Sequence, residues 1–301
     1  MLGIYGNLSN DDYHGDKDSI SRSGLMQFKK SPASYYHAYI NPDRPAKTQT
    51  PDMQFGSAFH TYVLEPHLFD KQYFVNDVEL PRVDDKPLKK NLQAQYGKDK
   101  GSELYEKAKA LEVIQKAARD KAIADLDAKA EGKVLFTVDQ MDKLRGMKQS
   151  VLSHPQGRQL IQGGKIEHSI FWECPHTGVK CKTRPDIWHE NMTVDLKTTK
   201  DASPRAFQSS IATFGYHVQS AFNREGIYHS GGADIKTHVF LVVEKDWPYA
   251  VGVYILDIEA LEHGLVVMKN NLRDFARCKE HNDWPGYATE TIGLPAWAMN
   301  L

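Results

Sequence analysis

The spacing of apolar residues changes once along this chain, at Gly163-Gly164, and that change restricts the folds open to it. Upstream, apolar residues recur at helical intervals. Hydroxyl residues at Ser19, Ser21 and Ser23 precede Leu25 and Phe28, as at a capped helix start. Ser31-Pro32 opens a short aromatic helix through Tyr35, Tyr36 and Tyr39, and Met53 to Leu64 reads as another, stopped by Glu65-Pro66. Helices are expected again from Ser102 to about Lys129, with Leu104, Ala108, Leu111, Ile114 and Ala118 on one face, and from Val138 to Leu152. Downstream the pattern alternates. Strands are expected at Ile166 to Glu173, Val179 to Trp188 and Thr193 to Thr198. A helix follows from Ser203-Pro204 to Gly231-Gly232, then strands at Thr237 to Glu244 and Tyr249 to Asp257 and a last helix from Ile258 to Cys278. The result is a β-β-β-α-β-β-α order over 161–301 behind a mainly helical 1–160. That order specifies an α+β class with a mixed central sheet flanked by helices.

Composition narrows the function classes. The 301 residues leave one large domain or two smaller ones open, and 41% hydrophobic with 26% charged residues is globular rather than disordered. A net charge of −1 gives the whole molecule no attraction for nucleic acid or an anionic membrane. One tract is basic: 81–121 carries 11 Lys or Arg against 7 Asp or Glu, read either as a solvated helix face or as an arm beside a phosphate backbone. Three cysteines cannot form a disulfide framework and suit a reducing compartment. No apolar run reaches membrane-spanning length, and the polar, acidic start is unlike a signal peptide, so a cytoplasmic protein is expected.

The chemistry concentrates in Arg184-Pro185-Asp186 and Asp195-Leu196-Lys197. Side chains two apart on a strand share a face, so Asp195 and Lys197 point together while Val194 and Leu196 point away. Antiparallel pairing across His189-Glu190-Asn191 would bring Asp186 beside Asp195. Two converging carboxylates suit a hard cation such as Mg²⁺ or Mn²⁺, and a lysine alongside would stabilise anionic oxygen or orient water. On spacing alone a surface ion pair is the plainer explanation of Asp195 and Lys197; their place on a strand that follows one ending in Pro-Asp and precedes a helix favours the chemical one.

Pro185-Asp186 followed by Asp195-Leu196-Lys197 resembles the PD-(D/E)xK nuclease motif, and Gly56-x-x-x-His60 resembles the G-x-x-x-H element of its RecB-type branch. The resemblance extends to RecE-like phage exonucleases through Ile20-Ser21-Arg22-Ser23-Gly24-Leu25, Ser31-Pro32-Ala33, Thr177-Gly178 and Val218-Gln219-Ser220-Ala221-Phe222, weakest from about 70 to 135. It implies a single PD-(D/E)xK domain over 1–301, with a restriction-endonuclease-like core. It also implies a Mg²⁺-dependent exonuclease, Mn²⁺ substituting, that degrades one strand of linear duplex DNA from the 5′ end and leaves 3′ tails for annealing. By the same resemblance His60, Asp186, Asp195 and the main-chain carbonyl of Leu196 would hold two ions, and Lys197 would be the catalytic lysine. A homo-oligomeric ring around the DNA and a RecT-type annealing protein as partner are implied as well.

Gln219 matches the glutamine of the family's Q-x-x-x-Y element, near DNA or the active site, although Asn223 stands where the tyrosine would be. Glu167 is an additional carboxylate candidate. Each has a plainer reading: a packing-face amide for Gln219, an exposed strand residue for Glu167, and for His60 a histidine packed among Phe55, Phe59 and Tyr62. Cys174, His176 and Cys181 lack zinc spacing, Cys278 leaves the chain one short of a Cys₄ cluster, and no Walker A sequence points to ATP. The other functions open on this reading are a structure-specific or single-strand nuclease, and a non-catalytic DNA-end-binding scaffold.

Overall fold

The structure, a computed structural model, describes residues 1–45, 48–295 and 298. In chain order it runs β1 (Gly3–Tyr5), α1 (Asn10–Gly15), β2 (Ile20–Ser21), α2 (Arg22–Lys30), α3 (Pro32–Tyr35), a π-helical turn (Tyr36–Ile40), α4 (Pro51–Leu64), α5 (Pro66–Gln72), β3 (Tyr73–Asn76), α6 (Lys89–Tyr96), α7 (Lys98–Ala130), β4 (Val134–Thr137), α8 (Val138–Ser153) and α9 (Pro155–Leu160). The second part contains β5 (Lys165–Ile166), β6 (Ser169–Glu173), β7 (Lys180–Thr183), β8 (Ile187–Trp188), β9 (Met192–Thr199), α10 (Pro204–Phe214), α11 (Tyr216–His229), β10 (Thr237–Glu244), β11 (Val251–Ile255) and α12 (Ile258–His281). The α+β class holds. No helix among the described residues is long and apolar enough to cross a membrane.

Two compact units are distinguished, one of Met1–His60 with Gly146–Leu301, the other of Thr61–Arg145. The first contains two sheets. One has the order β1-β6-β7-β2, the other β11-β10-β9-β8-β5, in which β9 and β10 run parallel and the remaining pairs antiparallel. Helix α11 serves both: Val218, Phe222 and Ile227 pack in a core with Trp172, Cys181 and Phe275, while Ala221 packs with Phe207, Phe240 and Leu261. Phe207, Phe222 and Phe240 are fully buried, each worth roughly 1.5–3 kcal/mol of apolar transfer. The chain enters this core at a capped start, where the Ser21 hydroxyl accepts the Gly24 N–H at 3.3 Å.

Helix α12 lies against α11 so closely that a Cβ on Gly264 would fall 2.3 Å from the His217 carbonyl oxygen. All three cysteines are buried free thiols belonging to this packing.

In the second unit, α6 and α7 accompany the parallel pair β3–β4. The lysines of the basic tract are partly neutralised there: Lys86 and Lys116 both meet Glu112, at 3.0 and 2.6 Å, and Lys107 meets Glu103 at 2.6 Å. The apolar stripe expected on α7 is not covered along its length, since Leu111 and Ile114 are exposed.

Four sequence expectations are corrected. The described residues among the first 160 contain four short strands, because β1 and β2 join partners far downstream and β3 and β4 pair with each other. The expected strand Ile166 to Glu173 breaks at Glu167, whose φ of 49° is left-handed. The expected strand Val179 to Trp188 breaks at Arg184-Pro185-Asp186, so β7 stays with the first sheet while β8 joins the second. Finally, the helix expected over 203–231 is interrupted at Gly215, with φ of 65°, giving α10 and α11.

Candidate active site

The break between β7 and β8 assembles the site, which lies within the first unit. β8 and β9 pair with Ile187 opposite Val194, so continuing the register by one position sets Asp186 opposite Asp195. The Asp186 carboxylate is fixed there. Its Oδ2 accepts the main-chain N–H of Leu196 at 2.7 Å and lies 3.5 Å from His60 Nδ1. Its carbonyl accepts the Glu167 N–H at 3.1 Å, tying the left-handed residue to the same spot. One donor atom each from His60, Glu167 and Asp186 lies within 4.8 Å of the others.

His60 arrives on α4. A Cβ on Gly56, one turn earlier, would sit 3.6 Å from Thr198 Oγ1, an ordinary van der Waals contact, so this turn of the helix lies beside the end of β9 without glycine being required for it. Asp52, in the first turn, pairs with Lys245 at 2.6 Å. Phe55 and Phe59 are buried, as the packed-helix reading of this segment requires, yet His60 is half-buried and turned toward Asp186.

On β9, Val194 and Leu196 are fully buried on one face, and Asp195 and Lys197 share the other. Gln219 Nε2 donates to Asp195 Oδ1 at 2.6 Å, and Lys197 Nζ pairs with Asp195 Oδ2. The same ammonium lies 4.8 Å from the centre of the Tyr216 ring, a cation–π contact that sequence reading did not anticipate. Burial pushes the Asp195 carboxyl up and the Asp186 charge adds to this, with Lys197 opposing both. Burial works against the Lys197 ammonium, but the Asp195 and Asp186 carboxylates outweigh it and hold the lysine above its ordinary range. The lysine is therefore charged at neutral pH.

A divalent cation fits this donor set. Ligand atoms about 2.1 Å from an ion lie roughly 3–4.2 Å from one another, so donors within 4.8 Å close onto one by small side-chain movements. The carboxylates of Glu167, Asp186 and Asp195 outnumber the positive charge of Lys197, which leaves the site anionic unless a cation balances it. Asp195 lies beside this trio rather than within it, engaged by Lys197 and Gln219. Leu196 contributes its N–H to Asp186.

All six side chains singled out in the sequence thus meet in one region: His60, Glu167, Asp186, Asp195, Lys197 and Gln219. Asn223, one turn beyond Gln219, accepts a hydrogen bond from the Thr183 hydroxyl and faces the core. Next to the site is a cleft of about 290 Å³ whose walls include Ser21, Arg22, Glu167, Lys182, Arg184 and Gln219. Sequence reading gave Arg22 no role, and its only signal was its place in the Ser21-Arg22-Ser23 stretch.

A family model described as a PDDEXK-like domain of unknown function (DUF3799) matches residues 21–292. A crystal structure of a protein from Eubacterium rectale, provisionally named an exonuclease, aligns with a TM-score of 0.58 at 12% identity, covering 98% of this chain and 97% of that one. At that identity the likeness is one of fold. No curated protein matches the sequence.

Proposed function

The chain belongs to the PDDEXK-like family DUF3799, and on that premise we propose that it is a metal-dependent nuclease cutting phosphodiester bonds at the His60, Glu167, Asp186, Asp195 and Lys197 site. The observation that carries this reading is the convergence of α4, the Glu167 turn, the β7–β8 break and β9, elements distant in sequence, on one buried anionic centre with a single charged lysine. A structural ion pair needs no such gathering. A bound divalent ion would supply Lewis-acid activation of the phosphate and of water. His60, Glu167 and Asp186 would hold it, with Asp195 available as a further ligand once its carboxylate turns from Gln219. The second ion and the Leu196 carbonyl ligand implied by the family resemblance belong to this same proposal.

The protein's own groups have separate tasks. Lys197 carries its charge into a buried position where it would stabilise the developing negative charge on the phosphate oxygens. Gln219 orients Asp195, and the Leu196 N–H orients Asp186. Mg²⁺ is the ion proposed, because a site rich in oxygen donors with room for retained waters suits it.

The finer reading is an exodeoxyribonuclease that removes one strand of linear duplex DNA from its 5′ end and leaves 3′ single-stranded tails for recombination. Its support is the RecE-like pattern of residues along the chain. With it come a homo-oligomeric ring, which would pool the modest basic surfaces of near-neutral subunits, and a RecT-type annealing protein that receives the tail. The test is digestion of linear duplex labelled at one 5′ or one 3′ end, with Mg²⁺ and with chelator. Early release of the 5′ label as mononucleotide, only with Mg²⁺, is expected. Release of the 3′ label first would overturn the polarity, and no cleavage of any DNA would overturn the nuclease reading itself.

A further inference from the structure

The cleft beside the catalytic centre contains three cationic side chains, Arg22, Lys182 and Arg184, and they differ in what they already hold. Lys182 Nζ donates to the Tyr13 carbonyl at 2.7 Å and to the Asp16 carbonyl. Arg184 Nε donates to Ser169 Oγ at 2.8 Å, its Nη2 to the Leu8 carbonyl at 3.1 Å and its Nη1 to Asn10, and its guanidinium stacks 4.2 Å from the Tyr13 ring centre. These two cations fasten the N-terminal segment to β7. They are occupied.

Arg22 is different. Its Nε and Nη2 are both buried, and neither finds a hydrogen-bond acceptor among the described residues. Those two nitrogens form one edge of the guanidinium, whose parallel N–H groups match two oxygens of a carboxylate or phosphate. Leaving such an edge dry and unpaired is costly, and buried polar groups in native proteins almost always have partners. Arg22 feels the charge of Asp195 but makes no hydrogen bond to it: Asp195 Oδ1 accepts from Gln219, and its Oδ2 is ion-paired with Lys197. Glycine at 215 leaves the guanidinium its space, since a Cβ there would come 3.3 Å from Nη2. Gln219, which orients Asp195, lines the same cleft, so the unpaired edge and the cleavage site border one space.

We propose that Arg22 is a phosphate-binding residue, its Nε–Nη2 edge gripping two non-bridging oxygens of a nucleic-acid phosphate lodged in this cleft beside the cleavage site. The proposal rests on the nuclease reading above and adds the group that holds the substrate's own charge. Asp195 is engaged by Gln219 and Lys197, and Glu167 belongs to the acidic centre, so a phosphate entering the cleft would bring the Arg22 edge an anion of the right geometry.

The experiment measures kcat/KM for digestion of end-labelled linear duplex across a range of NaCl concentrations, together with Tm, for wild type, Arg22→Met and Arg22→Lys. Loss of a bidentate, charge-assisted contact is expected to lower kcat/KM by about 10- to 100-fold in Arg22→Met. It should also reduce the slope of log kcat/KM against log salt by about 0.9, the signature of one phosphate contact. The Tm should stay level or rise, because methionine replaces an uncompensated buried charge. Arg22→Lys keeps the charge without the fork, so the salt slope should persist while kcat/KM falls several-fold; this variant carries the test if Arg22→Met does not fold. An unchanged slope in Arg22→Met, whatever its rate, would overturn the proposal, as would full wild-type activity in Arg22→Lys. A wild type that cuts normally beside such variants leaves the nuclease reading standing, whereas a wild type that cuts nothing removes both.

Discussion

Asp186 illustrates how much one side chain does at this site. Its carboxylate accepts a buried main-chain N–H from Leu196 and also faces His60, so structure and chemistry share the same oxygen. Asp186→Ala orphans that N–H and is expected to cost about 1–3 kcal/mol by urea denaturation. Asp186→Asn keeps an acceptor there and should retain most of the stability while requiring far more Mg²⁺ for cleavage; equal loss of stability in both variants would contradict this division. Lys197→Ala should lower kcat by about 10²- to 10³-fold with duplex binding retained. His238 makes a contrasting prediction away from the site. Buried, with Nδ1 2.7 Å from Thr193 Oγ1, its imidazole is pushed down to about 4 by desolvation. An unfolded histidine titrates near 6.5, so between about 6.5 and 4 the unfolded chain takes up a proton that the native state refuses. Its stability contribution is complete above that window and shrinks as the pH falls through it, by about 3 kcal/mol at most. Chemical denaturation at several pH values should show a steeper acid loss in wild type than in His238→Gln.

At the level of elements, the sequence was most legible where period and residue type agreed. The strand Thr237 to Glu244 was read to the residue, and Asp195 and Lys197 share a face as alternation requires. The breaks were not legible. Nothing in the spacing of Ile166 to Glu173 announces that Glu167 takes a left-handed conformation, because that turn goes with a bond to the carbonyl of Asp186, nineteen residues on. The split of Val179 to Trp188 had a visible proline, but its meaning, that β7 and β8 belong to different sheets, depends on partners more than a hundred residues upstream. Local pattern therefore located the carboxylates and missed the device that aims them. Helix contacts were also silent in the sequence. Gly264 reads as a weak point in α12, yet it is where α12 meets the backbone of α11. Gly264→Ala should cost about 1–3 kcal/mol through overpacking, against the small gain that alanine brings to an exposed helix, and thermal denaturation would tell the two apart.

On the scale of the whole molecule, the first unit is built from both ends of the chain: β1 pairs Gly3 to Tyr5 with Phe171 to Ser169, and β2 pairs with β7. Such pairing cannot form while the chain is short. At about 5–20 residues per second, the first strand emerging during synthesis waits on the order of ten to thirty seconds for its mate. The cleft walls therefore meet late: Ser21 and Arg22 stand without their opposite side until Glu167, Lys182, Arg184 and Gln219 have been made, so the pocket cannot exist on a chain that stops short of α11.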